Sequence, residues 1–172
     1  MRSPSGGPVD RPLVRRALDR DLAGAGEVSV AAFVGDGHTR PDSPYVDLLR
    51  DAARRNREAE LLVAVDGAGA VLGCVTFAPG GTAWADVARP GEGEIRMLAV
   101  GAAARGRGVG RALVAAAVDR SRELGLAGMA FSTRPAMTAA HRIYEALGFV
   151  RAPERDWSAA PGMHLLVYTT RF

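Results

Sequence analysis

Between residues 94 and 124 the chain runs from an apolar segment into a glycine- and arginine-rich turn and then into a helix. No other stretch constrains the fold as tightly. Glu94-Ile95-Arg96-Met97-Leu98-Ala99-Val100 has the apolar density of a central strand, and Gly101 to Ala104 leads into Arg105-Gly106-Arg107-Gly108-Val109-Gly110. Val109, Leu113, Ala116, Ala117 and Leu124 then share one stripe of a helix, with Gly125 placed as a left-handed C-terminal cap. A strand, a glycine loop and a helix start bring several unpaired backbone N–H groups to one point. The helix dipole adds partial positive charge there, so an anion such as a pyrophosphate is well placed. Glycine lets the backbone approach the ligand closely, and Arg105, Arg107 and Arg111 can add charge-assisted hydrogen bonds.

Other phosphate loops can be tested against the same letters. A P-loop needs lysine and then serine or threonine after its last glycine, but Gly110 is followed by Arg111. The dinucleotide spacing is absent too, because the glycines here stand at 106, 108 and 110. A purely structural glycine turn is the plain alternative.

Composition narrows the class. A chain of 172 residues can bury one core without metals or disulfides, and the expected organisation is a flexible leader over 1–11 and a single domain over 12–172. The net charge of +3 comes from arginines scattered among carboxylates, with no lysine at all, which argues against a nucleic-acid partner and removes any lysine nucleophile. No apolar run reaches the ~20 residues a membrane span needs, and residues 1–8 lack the apolar segment of a secretory signal. Cys74 is the only cysteine, and His38, His141 and His164 lack metal-ligand spacing, so no disulfide, no metal and a cytoplasmic setting are expected.

The rest of the chain alternates between the two periodicities. Leu13 to Ala17 reads as a strand, and Asp19 to Phe33 as a helix with Leu22, Ala25, Val28 and Ala32 on one side. Ser43-Pro44 opens a second helix through about Asn56. Leu61 to Val65 and Val71 to Ala78 flank Gly67-Ala68-Gly69 as a hairpin. Gly128 to Thr133 is a further strand, and Ala140, Ile143, Tyr144 and Leu147 mark a helix that stops at Gly148. Met163 to Thr170 closes the sheet. This order predicts an α/β fold with helices on both faces of one sheet.

Two segments together carry a resemblance. Arg105-x-x-Gly108-x-Gly110 matches the Q/R-x-x-G-x-G/A signature of the GNAT (GCN5-related N-acetyltransferase) superfamily, and Ala140-x-x-Ile143-Tyr144-Glu145-x-x-Gly148-Phe149 resembles its second landmark. The resemblance is strongest over residues 60 to 150. It implies a mixed, mostly antiparallel sheet with one splayed parallel pair of strands. It also implies acetyl-CoA as acyl donor, a primary amine acceptor (small molecule or peptide), and direct attack in a ternary complex by a monomer or homodimer.

By the same analogy Arg105 to Arg111 hold the pyrophosphate of coenzyme A, while backbone groups of Leu98, Ala99 and Val100 pair with the pantetheine arm. Met137 stands where many relatives carry an asparagine that contacts the arm. Tyr144 aligns with the acid that protonates the departing thiolate, a role compatible with a place in the core. Glu94 aligns with a general base of some members, or else is a solvated carboxylate beside Glu92. Loops carrying Asp36, Trp84, Asp86 and Glu92 could form an acidic, aromatic mouth for the acceptor. A module of the same fold that binds acyl-CoA without turnover is the alternative function.

Overall fold

Leu61 to Val65 and Val71 to Ala78 carry apolar side chains at consecutive positions, so their strands need cover on both faces. The computed structural model describes residues 11–172 and supplies that cover. All of the expected leader except Arg11 lies outside the described residues. The strands are β1 (Leu13–Arg16), β2 (Glu60–Val65), β3 (Val71–Pro79), β4 (Glu92–Val100), β5 (Gly128–Thr133), β6 (Val150–Arg151), β7 (Trp157–Ala160) and β8 (Met163–Arg171). The helices are α1 (Leu22–Gly35), α2 (Tyr45–Arg50), α3 (Ala52–Glu58), α4 (Val109–Glu123) and α5 (Thr138–Ala146).

The strands form one sheet in the order β1-β2-β3-β4-β5-β8-β6, with β7 paired to β8. Every pair is antiparallel except β4 with β5, which is parallel. This is the splayed mixed sheet expected above. The strand period of two divides the core. Leu62, Ala64, Val75 and Phe77 pack with Val109, Leu113 and Val114 of α4 and Tyr144 of α5 on one face. Leu61, Val63, Val65 and Cys74 pack with Ala25 and Phe33 of α1, Leu49 of α2 and Ala52 of α3 on the other.

Several local expectations need correction. The helix expected over 19–33 begins as a 3₁₀ turn (Asp19–Asp21); of its expected side Ala25 is buried and Leu22, Val28 and Ala32 are partly buried, and the most buried face is Ala25, Gly26, Ser29 and Phe33. Close packing against α2 selects this face: a Cβ on Gly26 would lie 2.3 Å from the Arg50 carbonyl oxygen. The helix expected over 43–56 breaks at Asp51, whose ψ of 66° leaves the helical region while its carboxylate accepts from the Arg54 N–H to cap α3. Leu124 lies at the C-cap of α4, 41% exposed, and Ser121 takes the buried position one turn earlier. The short strands β6 and β7 have no alternation of their own. Pairing with β8 makes them strands.

Candidate active site

β4 and β5 pair only at Glu92↔Gly128 and Gly93↔Met129. Past Gly93 the two strands part, and the β5-facing edge of β4 runs on without a strand partner. Close packing holds the junction: a Cβ on Gly93 would fall 2.5 Å from Ser121 Oγ of α4 and 2.8 Å from Phe77 Cε2. Along the open edge β4 carries a bulge. Thr76 pairs with Arg96 and Cys74 with Ala99, so β4 contains one residue more than β3 between these pairs. Met97 absorbs the extra residue at φ 56°, the one non-glycine positive φ among the described residues. A bulge of this kind turns the backbone out of the regular ladder, here beside the cleft.

Two cavities meet where the strands part. They share Phe33, Leu98, Met137 and Ala140. The larger, about 520 Å³, is lined by the expected residues Leu98, Val100, Arg105, Gly106, Gly108, Val109, Gly110, Arg111 and Met137. Gly106 (φ 73°) and Gly108 (φ 76°) are left-handed, and no atom lies within 4 Å of where their Cβ atoms would stand. Gly108 is the N-cap of α4, with no side chain capping the first turn. The N–H groups there are accordingly available to an anion, and the loop fits a pyrophosphate on its own geometry.

The arginines of this loop differ in placement. Arg111 lines the cavity, and Arg105 does so while its guanidinium donates to Asp36 Oδ1 and Oδ2 at 3.0 and 2.8 Å. Arg107 is exposed and lies outside the lining, and the Ala99 side chain is buried on the opposite face of the sheet. Met137 is the N-cap residue of α5, where its sulfur receives the Thr133 hydroxyl at 3.7 Å. His38 lines the same cavity, although its place in the sequence carried no such signal.

The smaller cavity, about 250 Å³, lies on the other side of the shared residues and holds Tyr144 in its wall. The Tyr144 ring packs at 4.5 Å from Phe131, 5.7 Å from Tyr168 and 6.3 Å from Phe149. Burial pushes its phenol well above the ordinary value, with a smaller contribution from Tyr168. Tyr45, Asp86, Arg96, Arg134 and Trp157 stand in the same wall. Asp86 is the member of the expected acidic mouth found there, and Arg96 pairs with it at 3.4 Å. Trp84 is buried and donates to Glu58, Glu92 is bound to Arg155 at 2.9 Å, and Asp36 stands in the larger cavity.

Glu94 is apart from both cavities. It is 1% exposed, and its Oε2 accepts from the backbone N–H groups of Val87 and Ala88 at 2.9 and 2.8 Å. Burial raises its carboxyl, and those backbone donors act in the opposite sense. Being raised, the carboxyl holds its proton to higher pH in the native state than in the unfolded chain. Its stabilising contribution is therefore present at acid pH and is lost as pH rises through its own pKa. Glu94→Gln keeps an acceptor oxygen for both N–H groups without the buried charge. At neutral pH its stability should stay within about 1 kcal/mol of the parent, whereas Glu94→Ala strands two buried donors and costs roughly 2–4 kcal/mol. Denaturant titration of the two variants checks the difference. Equal losses in both would overturn the loop-holding role.

The Acetyltransferase (GNAT) family model matches residues 27–149. The mycothiol acetyltransferase of Nocardia farcinica (strain IFM 10152) is 38% identical over 109 residues, which cover 60% of this chain. The match spans 35% of that protein's length. A GCN5-related N-acetyltransferase from Kribbella flavida is 27% identical with a TM-score of 0.71, covering 94% of this chain and 98% of its own. A GNAT family N-acetyltransferase from Escherichia coli, solved in complex with CoA, is 27% identical with a TM-score of 0.66 over 95% of this chain and 83% of its own. The sheet and its helices are those of the GNAT acetyltransferase fold. The chain belongs to the acetyltransferase (GNAT) family, whose acyl-donor co-substrate is acetyl-CoA. Among the described residues no helix is long and apolar enough to cross a membrane, and no group of three or more His, Cys, Asp or Glu side chains is placed to hold a metal ion.

Proposed function

We propose that residues 12–172 act as one N-acetyltransferase domain that moves an acetyl group from acetyl-CoA to a primary amine by direct attack in a ternary complex. The observation that carries this reading is the meeting of the two cavities at Leu98, Met137 and Ala140, one beneath the glycine loop and the other walled by Tyr144. Acetyl-CoA supplies an activated thioester.

The chain's own residues supply position and charge. Backbone N–H groups of Gly106 to Arg111, with the guanidinium of Arg111, hold the pyrophosphate. Arg105 gives one N–H from each terminal nitrogen to Asp36 and has further N–H donors to add. The unpartnered edge of β4 at Leu98, Ala99 and Val100 offers hydrogen bonds to the amides of the pantetheine arm. The bulge at Met97 turns the backbone toward the cleft, where an N–H polarises the thioester carbonyl. Tyr144 holds a proton at its hydroxyl, where the departing sulfur needs a donor. Glu94 keeps the 86–88 segment in place, and Asp86 is the carboxylate that faces the acceptor side.

Calorimetric titration with acetyl-CoA, free CoA and ATP tests the cofactor half of this reading. Both CoA species should saturate one site, with ATP at least about tenfold weaker because it has no pantetheine arm for the β4 edge. Absence of CoA binding would sink the reading. Binding without thiol release across an amine screen would instead favour a sensor of the same fold.

A further inference from the structure

The acceptor-side cavity is more cationic than acetyl transfer by itself requires. Its wall holds three formally charged side chains, Asp86, Arg96 and Arg134. Arg96 and Asp86 offset each other at 3.4 Å, and the Arg96 guanidinium also lies 5.7 Å from the Trp84 ring centroid. Arg134 has no such counterpart. Among the described residues no carboxylate lies within ion-pair distance of it; it donates to the His38 carbonyl and approaches the Met163 sulfur at 3.9 Å. A half-buried guanidinium presents five donors in a rigid fork, and its desolvation is repaid only by good acceptors.

Neutral donors surround the same space. Ser43 and Tyr45 line it, as does Trp157, whose Nε1 is buried without a hydrogen-bond partner. Behind the wall, Arg55 is fully buried and donates to Ser29 Oγ at 2.9 Å, Thr76 Oγ1 at 3.3 Å and the Leu49 carbonyl at 2.6 Å. No carboxylate among the described residues pairs with Arg55 either. The Tyr45 phenol registers the combined field. Burial raises its pKa, Arg96, Arg134 and Arg55 act against that rise, and Asp86 alone adds to it.

We propose that the acceptor is an amine of the amino-acid class whose carboxylate is bound by Arg134, with Arg96 beside it. This rests on the acetyltransferase reading above. The same charges have a second effect. A cationic wall disfavours an ammonium next to it, so the bound amine loses its proton more readily and presents the lone pair that attack requires. A polycationic acceptor would meet like charge in this cavity.

Products with and without the carboxylate read the site directly, independently of turnover. The CoA-loaded protein is titrated calorimetrically with N-acetyl-leucine against N-acetyl-leucinamide, and with N-acetylglutamine against N-acetylglutaminamide. In at least one pair the added carboxylate should tighten binding about tenfold or more. Arg134→Gln should abolish that ratio, Arg134→Lys should restore part of it, and CoA affinity should hold within about twofold in both. Should Arg134→Gln fail to fold, Arg96→Gln is read by the same ratio and should reduce it. Equal binding within both pairs, no measurable binding of any product, or a ratio that survives Arg134→Gln would overturn the proposal. Thiol release from carboxylate-free amines as fast as from amino acids would overturn it while leaving the acetyltransferase reading intact. Carboxylate-selective binding with no thiol release from any amine would overturn the acetyltransferase reading and the acceptor role with it, leaving only the carboxylate contact of Arg134.

Discussion

Gly108→Val weakens acetyl-CoA binding by about two orders of magnitude. Gly108 sits at φ 76° at the start of α4, with nothing within 4 Å of its would-be Cβ, so the penalty is one of backbone and not of space. A left-handed conformation costs an ordinary L-residue roughly 1–2 kcal/mol, and a β-branched one more. The turn relieves that strain by rotating, which re-aims the N–H groups at the head of the helix. Hydrogen bonds to a charged group are each worth about 1.5–3 kcal/mol, so misdirecting one or two accounts for the loss.

The opposite end of the same helix is the control. Gly125 has φ 71° and equally open surroundings, but lies far from the cavity lining. Gly125→Val should lower the melting temperature by a similar amount and leave the CoA affinity unchanged. Calorimetric affinity and thermal melts of the two variants settle the point. A Gly108→Val protein that binds acetyl-CoA within about threefold of the parent would show that the loop's backbone does not hold the phosphates.

Tyr144→Phe lowers kcat by about a hundredfold and leaves acetyl-CoA affinity and melting temperature close to the parent values. The contacts of the ring with Phe131, Phe149 and Tyr168 do not involve the hydroxyl, so phenylalanine preserves the packing. Burial holds the phenol above its ordinary range, so Tyr144 keeps its proton throughout any usable assay pH. The same shift makes it a reluctant acid toward a thiolate, whose ordinary conjugate pKa is about 8.5. In the proposed mechanism Tyr144 therefore acts chiefly by hydrogen-bonding the departing sulfur as charge develops there.

This has a consequence for the pH profile. The parent enzyme should show no basic limb from Tyr144 below about pH 10, and the phenylalanine variant should lie below it by a constant factor across the neutral range. Turnover unaffected by the substitution at every pH would rule out the donor role.

The parts of this fold that rest on short-range geometry were legible in the letters. β5 begins and ends where its apolar run does, and Gly106, Gly108, Gly125 and Gly148 all take the positive φ that loop and cap positions demand. The larger cavity was readable in part for the same reason, since nine of its nineteen lining residues come from one strand–loop–helix segment. Helix faces were less secure. Periodicity found Ala25, but Gly26 and Ser29 are small residues that it would not choose for burial, and the close approach of α2 buries them.

In the wall of the smaller cavity Asp86 and Tyr144 were expected, but most of the rest was not legible, because no single segment contains it. Tyr45 comes from α2, Asp86 from a loop, Arg96 from β4, Arg134 from just past the end of β5 and Trp157 from β7, a strand that exists only by pairing with β8. The bond from Arg134 to His38 spans 96 residues of chain. Glu94 shows the same limit: the family resemblance suggested a base, and only the folded 86–88 segment reveals the two N–H groups from which its Oε2 accepts. By itself the sequence determined what depends on backbone dihedrals and near-neighbour spacing: the glycine loop, the caps, the strand and helix order, and with them the family. Tertiary structure alone decided which charges line the smaller cavity and which are neutralised, because those depend on desolvation and on partners brought together from distant segments.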